Sequence, residues 1–351
     1  MSDEQTKNAQ LTPDEEVARA VFTETTPEER GFAPIFDTQI KPFLVQDVIK
    51  RRQAKAETRR RLYIYLAVTA AAIAGAVFAF RFSFHLGNPS WPAQAAALAA
   101  MAVIFGGPFW FLQPGLVDYS SVPQDAAIGL VAARFGLTYD QNKTDASVLK
   151  DAFVQPGGGF EVSLGQRLWG KRGTADLEAW PIFRYTRHYK RHGSTIETFY
   201  SGWYLRLRLP MTIKSRTAVM ETSAGYQVAG GLGGLQEISL ESHEFMERFR
   251  VYGDDQVEAR VILSPDVIAH LERSRTTFKG RGGIIVGVSG GHADLAVATP
   301  LTPLYYWTPQ VPAKVVEELH GYFKEIGDIM RFVDGFDTLV EAEGWRGEAQ
   351  S

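Results

Sequence analysis

Side chains able to do covalent chemistry are sparse in this chain. The clearest spelling is GVSGG, Gly287 to Gly291, with Ser289 central and His292 beside the last glycine. A serine of that kind attacks acyl groups when it sits on a strand-to-helix turn, with an acid and a histidine following in the chain. GGIIV supplies a strand before it. HADLAVAT after it alternates like a second strand and offers no helix start, and only 62 residues remain after Ser289, His320 among them. The glycines therefore read as a hairpin turn, and a serine hydrolase stands as an alternative to a non-enzymatic reading. The seven histidines form no HExxH or other tight metal set, and a turn separates His188 from His192. Gly157 to Gly159, within QPGGGF (Gln155 to Phe160), lack the Lys-Ser/Thr pair that completes a phosphate cradle, so they read as a plain loop. The absence of Cys removes thiolate catalysis, disulfides and Cys-ligated zinc, and fits a reducing compartment. No catalytic, metal or cofactor residue is assigned, and no cofactor is expected.

Charge gives the next candidates. Between Trp180 and Met220 eight Lys or Arg stand against Glu197, whereas between Gln236 and Ala259 seven Asp or Glu stand against Arg248 and Arg250. WPIFRYTRHYK alternates like a strand, RHGS (Arg191 to Ser194) turns the chain, and the return run places Phe199, Trp203, Leu205, Leu207 and Leu209 on one face. Its other face carries Tyr200, Tyr204, Arg206 and Arg208, expected to meet solvent, lipid headgroups or an acidic protein partner. The competing reading is a solvated outer face paired to the acidic segment. A net charge of -3 makes no global case for nucleic acid.

Those residues must be positioned by the rest of the chain, and the dominant elements are apolar. Leu62 to Phe80 runs 19 residues and Pro92 to Gln113 runs 22 residues without a formal charge. About 20 apolar residues span a bilayer core, so two spans form a hairpin over 62–113. The first 60 residues are hydrophilic, which makes Leu62 to Phe80 a retained span rather than a secretory signal. Lys50, Arg51, Arg52, Lys55, Arg59, Arg60 and Arg61 precede the first span, against Glu57 alone, and the loop Arg81 to Trp91 holds one positive charge. Lys/Arg excess marks the cytoplasmic side, so both termini belong there, and the same basic run is a candidate anionic-lipid surface. Trp91 and Trp110 suit the membrane interfaces, and Ala71, Gly75 and Ala79 with Ala95 and Ala99 permit close helix contact.

Leu240 to Ser274 has a readable local logic. Ser242 caps a short helix holding Phe245 and Met246, FRVY is a strand, Asp254 or Asp255 starts a helix, and Ser264 with Pro265 starts another. Here the sequence resembles an uncharacterised bacterial two-span membrane-protein family, domain of unknown function 3137. The resemblance lies in Glu241, Phe245, Phe249, Val251, Tyr252, Asp255, Gln256, Glu258, Ala259, Arg260, Leu263 and Pro265, and extends to FAPIFDTQIKPFL and the paired apolar stretches. It implies a bacterial inner-membrane protein and supplies no catalytic residues, since the family has no established activity. Asp255, Glu258 and Arg260 read as a structural ion pair rather than a site.

The organisation follows. Residues 1–30 hold eight acidic residues against Lys7, Arg19 and Arg30 and read as a disordered acidic tail. Residues 31–61 form an amphipathic and basic juxtamembrane segment, whose Phe32, Ile35, Phe36, Ile40, Phe43, Leu44 and Val48 recur at three and four, with Pro42 able to kink a helix on the inner leaflet. Residues 114–351 form a cytoplasmic domain. It opens on a helix starting at Ser121 or Gln124 and stopping at Gly136, and closes on a long helix, Pro312 to Glu341, with the apolar stripe Val316, Leu319, Phe323, Ile326, Met330, Val333, Phe336 and Val340. That stripe packs on its own sheet, or else forms a homodimer seam. The expected architecture is α+β, a two-helix transmembrane hairpin followed by a cytoplasmic domain with an antiparallel sheet and flanking helices. The expected role is membrane-anchored interaction or sensing at the inner membrane with an unknown protein partner; a membrane-bound serine hydrolase and a structural subunit of a membrane complex are the alternatives.

Overall fold

The computed structural model describes residues 11–85, 101, 122–151, 161–173, 175–190, 193–222, 234–280, 282–299 and 312–341. The chain divides into two compact units, residues 1–22 with 33–123 and residues 23–32 with 124–351.

In the first unit, helix α1 spans Pro13–Ala18. Its start is dictated locally: Thr12 Oγ1 accepts from the Glu15 amide while Glu15 Oε2 accepts from the Thr12 amide at 2.7 Å, and Pro13 occupies the first helical turn. Val17 is buried. A helical turn at Ala33–Ile35 and a π-turn at Phe36–Ile40 lead into helix α2, Lys41–His85, which is unbroken over 45 residues. In the π-turn the Lys41 amide donates to the Phe36 carbonyl, five residues back, and Pro42, which follows, offers no N–H to the Thr38 carbonyl. Phe36, Ile40, Leu44 and Val48, spaced by four, are buried on one face. Phe22 packs on Phe36 at 5.7 Å, and Arg52 donates to the Leu11 carbonyl and to Glu16 Oε2, both at 2.6 Å. The described part of the expected disordered tail, residues 11–30, is therefore ordered, and the face expected to lie on a leaflet meets residues of the protein's own amino-terminal stretch. Acidic composition hid a helix held by a capping box.

Beyond Arg61 the character of α2 changes. Leu62, Tyr63, Ile64, Leu66, Val68, Ile73, Val77 and Phe78 are exposed by between 39% and 73%, and at about 100° per residue they cover about two thirds of the circumference, while Tyr65, Thr69, Ala72 and Ala76 on the remaining side are half-buried. Among the described residues, one helix is long and apolar enough to cross a membrane by length and composition. It continues through the expected loop start at Arg81 as far as His85. The second apolar stretch lies outside the described residues apart from Met101, as do Trp91 and Trp110.

The second unit is α+β, an antiparallel sheet with flanking helices. Helix α3 (Val122–Arg134) ends at Gly136, which has φ 72°, a conformation cheap only for glycine. The strands are β1 (Leu137–Lys143), β2 (Glu161–Leu164), β3 (Gln166–Arg172), β4 (Ala175–Lys190), β5 (Gly193–Glu221), β6 (Gln236–Glu237), β7 (Phe249–Gly253) and β8 (Ile284–Ala298). Their order is β1-β3-β4-β5-β7-β6, with β2 on β4 and β8 on β5. The expected hairpin is present, Lys190 facing Gly193; Arg191 and His192 of its turn lie outside the described residues. Helices α4 (His243–Arg248), α5 (Gln256–Ile262) and α6 (Pro265–Thr277) start on Ser242, Asp255 and Ser264, each accepting from amides of the first turn. Helix α7 spans Pro312–Glu341, and Leu319, Phe323, Ile326, Met330, Val333 and Phe336 of its stripe are buried. It packs on α6 through rings, Phe332 lying 5.3 Å from Phe278 and 5.6 Å from His270, and reaches β5 through Glu325.

The sheet carries apolar packing on both faces. Leu168, Leu177, Leu205, Leu207 and Leu295 are buried in alternation along their strands. Trp180, Ile182, Tyr200, Tyr204, Met220 and Ile285 form a second cluster that Leu149, Leu164 and Val162 help to close.

Candidate functional site

The cross-strand register sets the basic–aromatic residues in rows. Trp169, Glu178, Arg206 and Asp294 lie opposite one another across β3, β4, β5 and β8, and beside them runs the row Lys171, Asp176, Arg208 and His292. Strand alternation puts both rows on one face. Their β3, β4 and β5 members, with Arg167, line a shallow cleft of about 390 Å³ that holds four cations (Arg167, Lys171, Arg206, Arg208) against Asp176 and Glu178.

The charges are unequally tied. Arg167 donates to Glu178 Oε1 at 2.9 Å and to Asp140 Oδ2 at 3.4 Å, and its guanidinium lies 5.9 Å from the Trp169 ring, which is 44% exposed. Arg206 donates to Asp294 Oδ1 at 2.9 Å and to the Tyr204 hydroxyl at 3.0 Å, while that hydroxyl donates to Asp294 at 2.7 Å. Burial, and next the Asp294 charge, push the Tyr204 hydroxyl well above the usual phenol range. Burial alone would lower Arg206; Tyr204 and Asp294 outweigh it and hold the guanidinium charged. Lys171 and Arg208 are exposed and make no ion pair among the described residues. The arrangement can stack an apolar or aromatic group on Trp169 and pair an anion with Lys171 or Arg208. It contains no activated nucleophile.

Of the four residues expected on this face, Arg206 and Arg208 line the cleft. Tyr200 and Tyr204 are 1% and 0% exposed, which corrects their placement towards solvent. Alternation grouped these residues on one face; it could not show that part of that face is roofed. Trp180 stacks on Tyr204 at 5.8 Å, and its Nε1 donates to Thr144 of the segment that crosses over it. Sequence reasoning missed Trp169, Lys171 and Asp176, whose alternation in QRLWGKR and ADLE was available as a signal.

The remaining candidates resolve individually. Ser289 lies inside β8, opposite Arg216, with strand on both sides of it. The expected hairpin at Gly287–Gly291 is instead one strand that bends, its register with β5 shifting between Arg208 and Arg216 while Gly290 adopts φ 61°. The strand-to-helix turn an acylating serine needs is absent there. Asp255, Glu258 and Arg260 bind backbone separately: Asp255 accepts from the Val257 and Glu258 amides, Glu258 from the Ser215 amide at 2.7 Å, and Arg260 donates to the Ser239 carbonyl. They are structural, as anchors of a turn to β5 rather than as the expected ion pair. Asp254 joins them by accepting from the Arg216 amide and Nε. The basic and acidic segments thus do meet along this seam. Among the described residues no cluster of His, Asp and Glu fits a metal ion.

Two further carboxylates are withdrawn from solvent, Glu325 in part and Glu29 almost wholly. Glu325 accepts from Trp203 Nε1 at 2.8 Å while its Oε2 is sealed from solvent without a partner; burial, only partly offset by the Trp203 and Thr299 hydrogen bonds, pushes its carboxyl up to about 7. Glu29 is 1% exposed and accepts from the Thr25 amide and hydroxyl, the Thr26 amide and His320 Nδ1. Its burial would raise the carboxyl, and those donors outweigh it and hold it low.

Of the seven cations that precede Leu62, Arg51 pairs with Asp47, Arg52 with Glu16 and Arg61 with Glu57. Lys50, Lys55, Arg59 and Arg60 are exposed and make no ion pair among the described residues.

Comparison with known proteins gives a limited picture. Residues 198–337, from β5 to α7, match the model of DUF3137, a protein family of unknown function. No curated protein matches the chain. Among solved structures, the crystal structure of the mycobacterial trehalose monomycolate transport factor A, TtfA, is similar with TM-score 0.33 and 9% identity, over 58% of this chain and 90% of that one. A likeness that faint carries no argument about fold or function.

Proposed function

We propose that this protein is a membrane-anchored interaction or sensing module: Leu62–Phe80 sits in the lipid bilayer, Pro92–Gln113 returns as a second span, and the sheet domain works on the cytoplasmic side. One observation carries the reading. On α2 the large apolar side chains from Leu62 to Phe78 face outward over about two thirds of the circumference, and apolar surface of that extent is stable in lipid and costly in water. The seven-cation flank before Leu62 supports a cytoplasmic amino terminus. The Trp169–Arg206–Arg208 cleft is the domain's ligand face, suited to a partner with an anionic group beside an aromatic or apolar one. The test is extraction of native membranes with alkaline carbonate. An integral protein stays in the pellet, and release into the supernatant overturns the anchoring.

A further inference from the structure

The exposed cations of α2 differ in depth as well as in pairing. The helix is continuous from Lys41 to His85, so a rise of about 1.5 Å per residue converts sequence distance into axial distance. Counted back from Leu62, Arg60 and Arg59 lie about 3 and 4.5 Å before the apolar boundary, Lys55 about 10 Å and Lys50 about 18 Å. The headgroup zone is about 5–7 Å thick on each side of a bilayer. Arg59, Arg60 and Arg61 therefore fall inside it, Arg61 being paired with Glu57, while Lys55 lies within roughly one Debye length of its edge and Lys50 is clear of it.

The side chains agree with the depths. Arg59 and Arg60 are exposed and make no ion pair among the described residues. Tyr63, 64% exposed, stands one turn further on, four residues from Arg59 and three from Arg60 and so on the same side of the helix. Aromatic rings with one polar end favour the headgroup level, which gives an independent marker of the boundary where the two arginines sit. Arg51 and Arg52 are engaged elsewhere, the first with Asp47 and the second with Glu16 and the Leu11 carbonyl.

We propose that Arg59 and Arg60 form a collar that binds the headgroups of anionic phospholipids, with Tyr63 fixing its depth, while Arg52 holds α1, Arg51 pairs with Asp47 on its own helix, and neither takes part in lipid selection. The collar rests on the membrane anchoring proposed above and adds the chemical class of lipid recognised. Its attraction is Coulombic, worth about five-fold in local lipid preference per cation near the surface, and it weakens as salt shortens the screening length.

The experiment has two stages, both on the full chain. Reconstitution into phosphatidylcholine vesicles and flotation first shows whether the protein enters a neutral bilayer. Spin-labelled phosphatidylglycerol and phosphatidylcholine then report the lipids at the protein boundary. The wild type is expected to prefer phosphatidylglycerol several-fold, the preference dropping markedly in R59Q/R60Q and with added salt, and persisting unchanged in R59K/R60K and R51Q/R52Q. Flotation without any such preference, or a preference undiminished in R59Q/R60Q, overturns the collar and leaves the anchoring intact. Failure to float with neutral vesicles overturns the anchoring and the collar with it.

Discussion

Ile73→Arg separates a lipid-embedded helix from a water-exposed one. Ile73 is 45% exposed and lies two residues from the midpoint of the uncharged run, about 3 Å along the axis. In water, a surface substitution of this kind changes stability by about 0.5 kcal/mol at most, and Arg is a slightly better helix former than Ile. In lipid, an Arg near the centre of a span costs about 2.5–3.5 kcal/mol and the favourable contribution of Ile, about 0.5 kcal/mol, is lost as well. The total of roughly 3–4 kcal/mol corresponds to two to three orders of magnitude in the insertion constant. The assay is the membrane-integrated fraction of the full chain after synthesis with membranes, beside Gln53→Arg, an exposed position on the same helix nine residues before the run. Ile73→Arg should lower integration and Gln53→Arg should not. Equal integration of wild type and both variants would refute the reasoning.

Three further outcomes follow from the sheet domain. Glu29→Gln removes the charge that gathers Thr25, Thr26 and His320; chemical denaturation should show a loss of roughly 2–3 kcal/mol, as for hydrogen bonds to a buried charge. Because Glu29 is held below its ordinary range, the pair's contribution is present above the unfolded carboxyl value and lost as pH falls through the folded one. Glu325 has the opposite sign: its carboxyl is pushed up to about 7, so the folded domain binds the extra proton and stability declines as pH rises from about 4.5 to 7. Glu325→Gln should flatten that decline, of order 2–3 kcal/mol, and raise the melting temperature at pH 8; an unchanged pH profile would count against a carboxyl raised by its surroundings there.

Elements governed by neighbouring residues were readable in the sequence. Ser242, Asp255 and Ser264 cap helices because a short polar side chain needs only amides two or three residues ahead. The stripe of α7 was legible because its period survives Gly321, Gly327 and Gly335, and packing against α6 and β5 supplies what those glycines remove. Long-range matters were hidden. Nothing near Tyr204 announces that Trp180 and residues near Thr144 lie over it, and nothing in GVSGG distinguishes a hairpin turn from a strand bent where β5 has extra residues. Composition misled at residues 11–30, where the acidic residues that suggest disorder include Glu15, which closes a capping box, and Glu29, which is buried on His320. The half of the candidate face contributed by β5 was visible as Arg206 and Arg208; Trp169, Lys171 and Asp176 join it only through register, which links residues more than thirty positions apart.

The most direct test of the central claim places a reporter active only outside the cytoplasm on Ser351, and on a second fusion a reporter active only inside. A hairpin of two spans returns the chain to its starting side, so the inside reporter should be active and the outside one silent. Activity of the outside reporter on Ser351 would contradict the proposed topology.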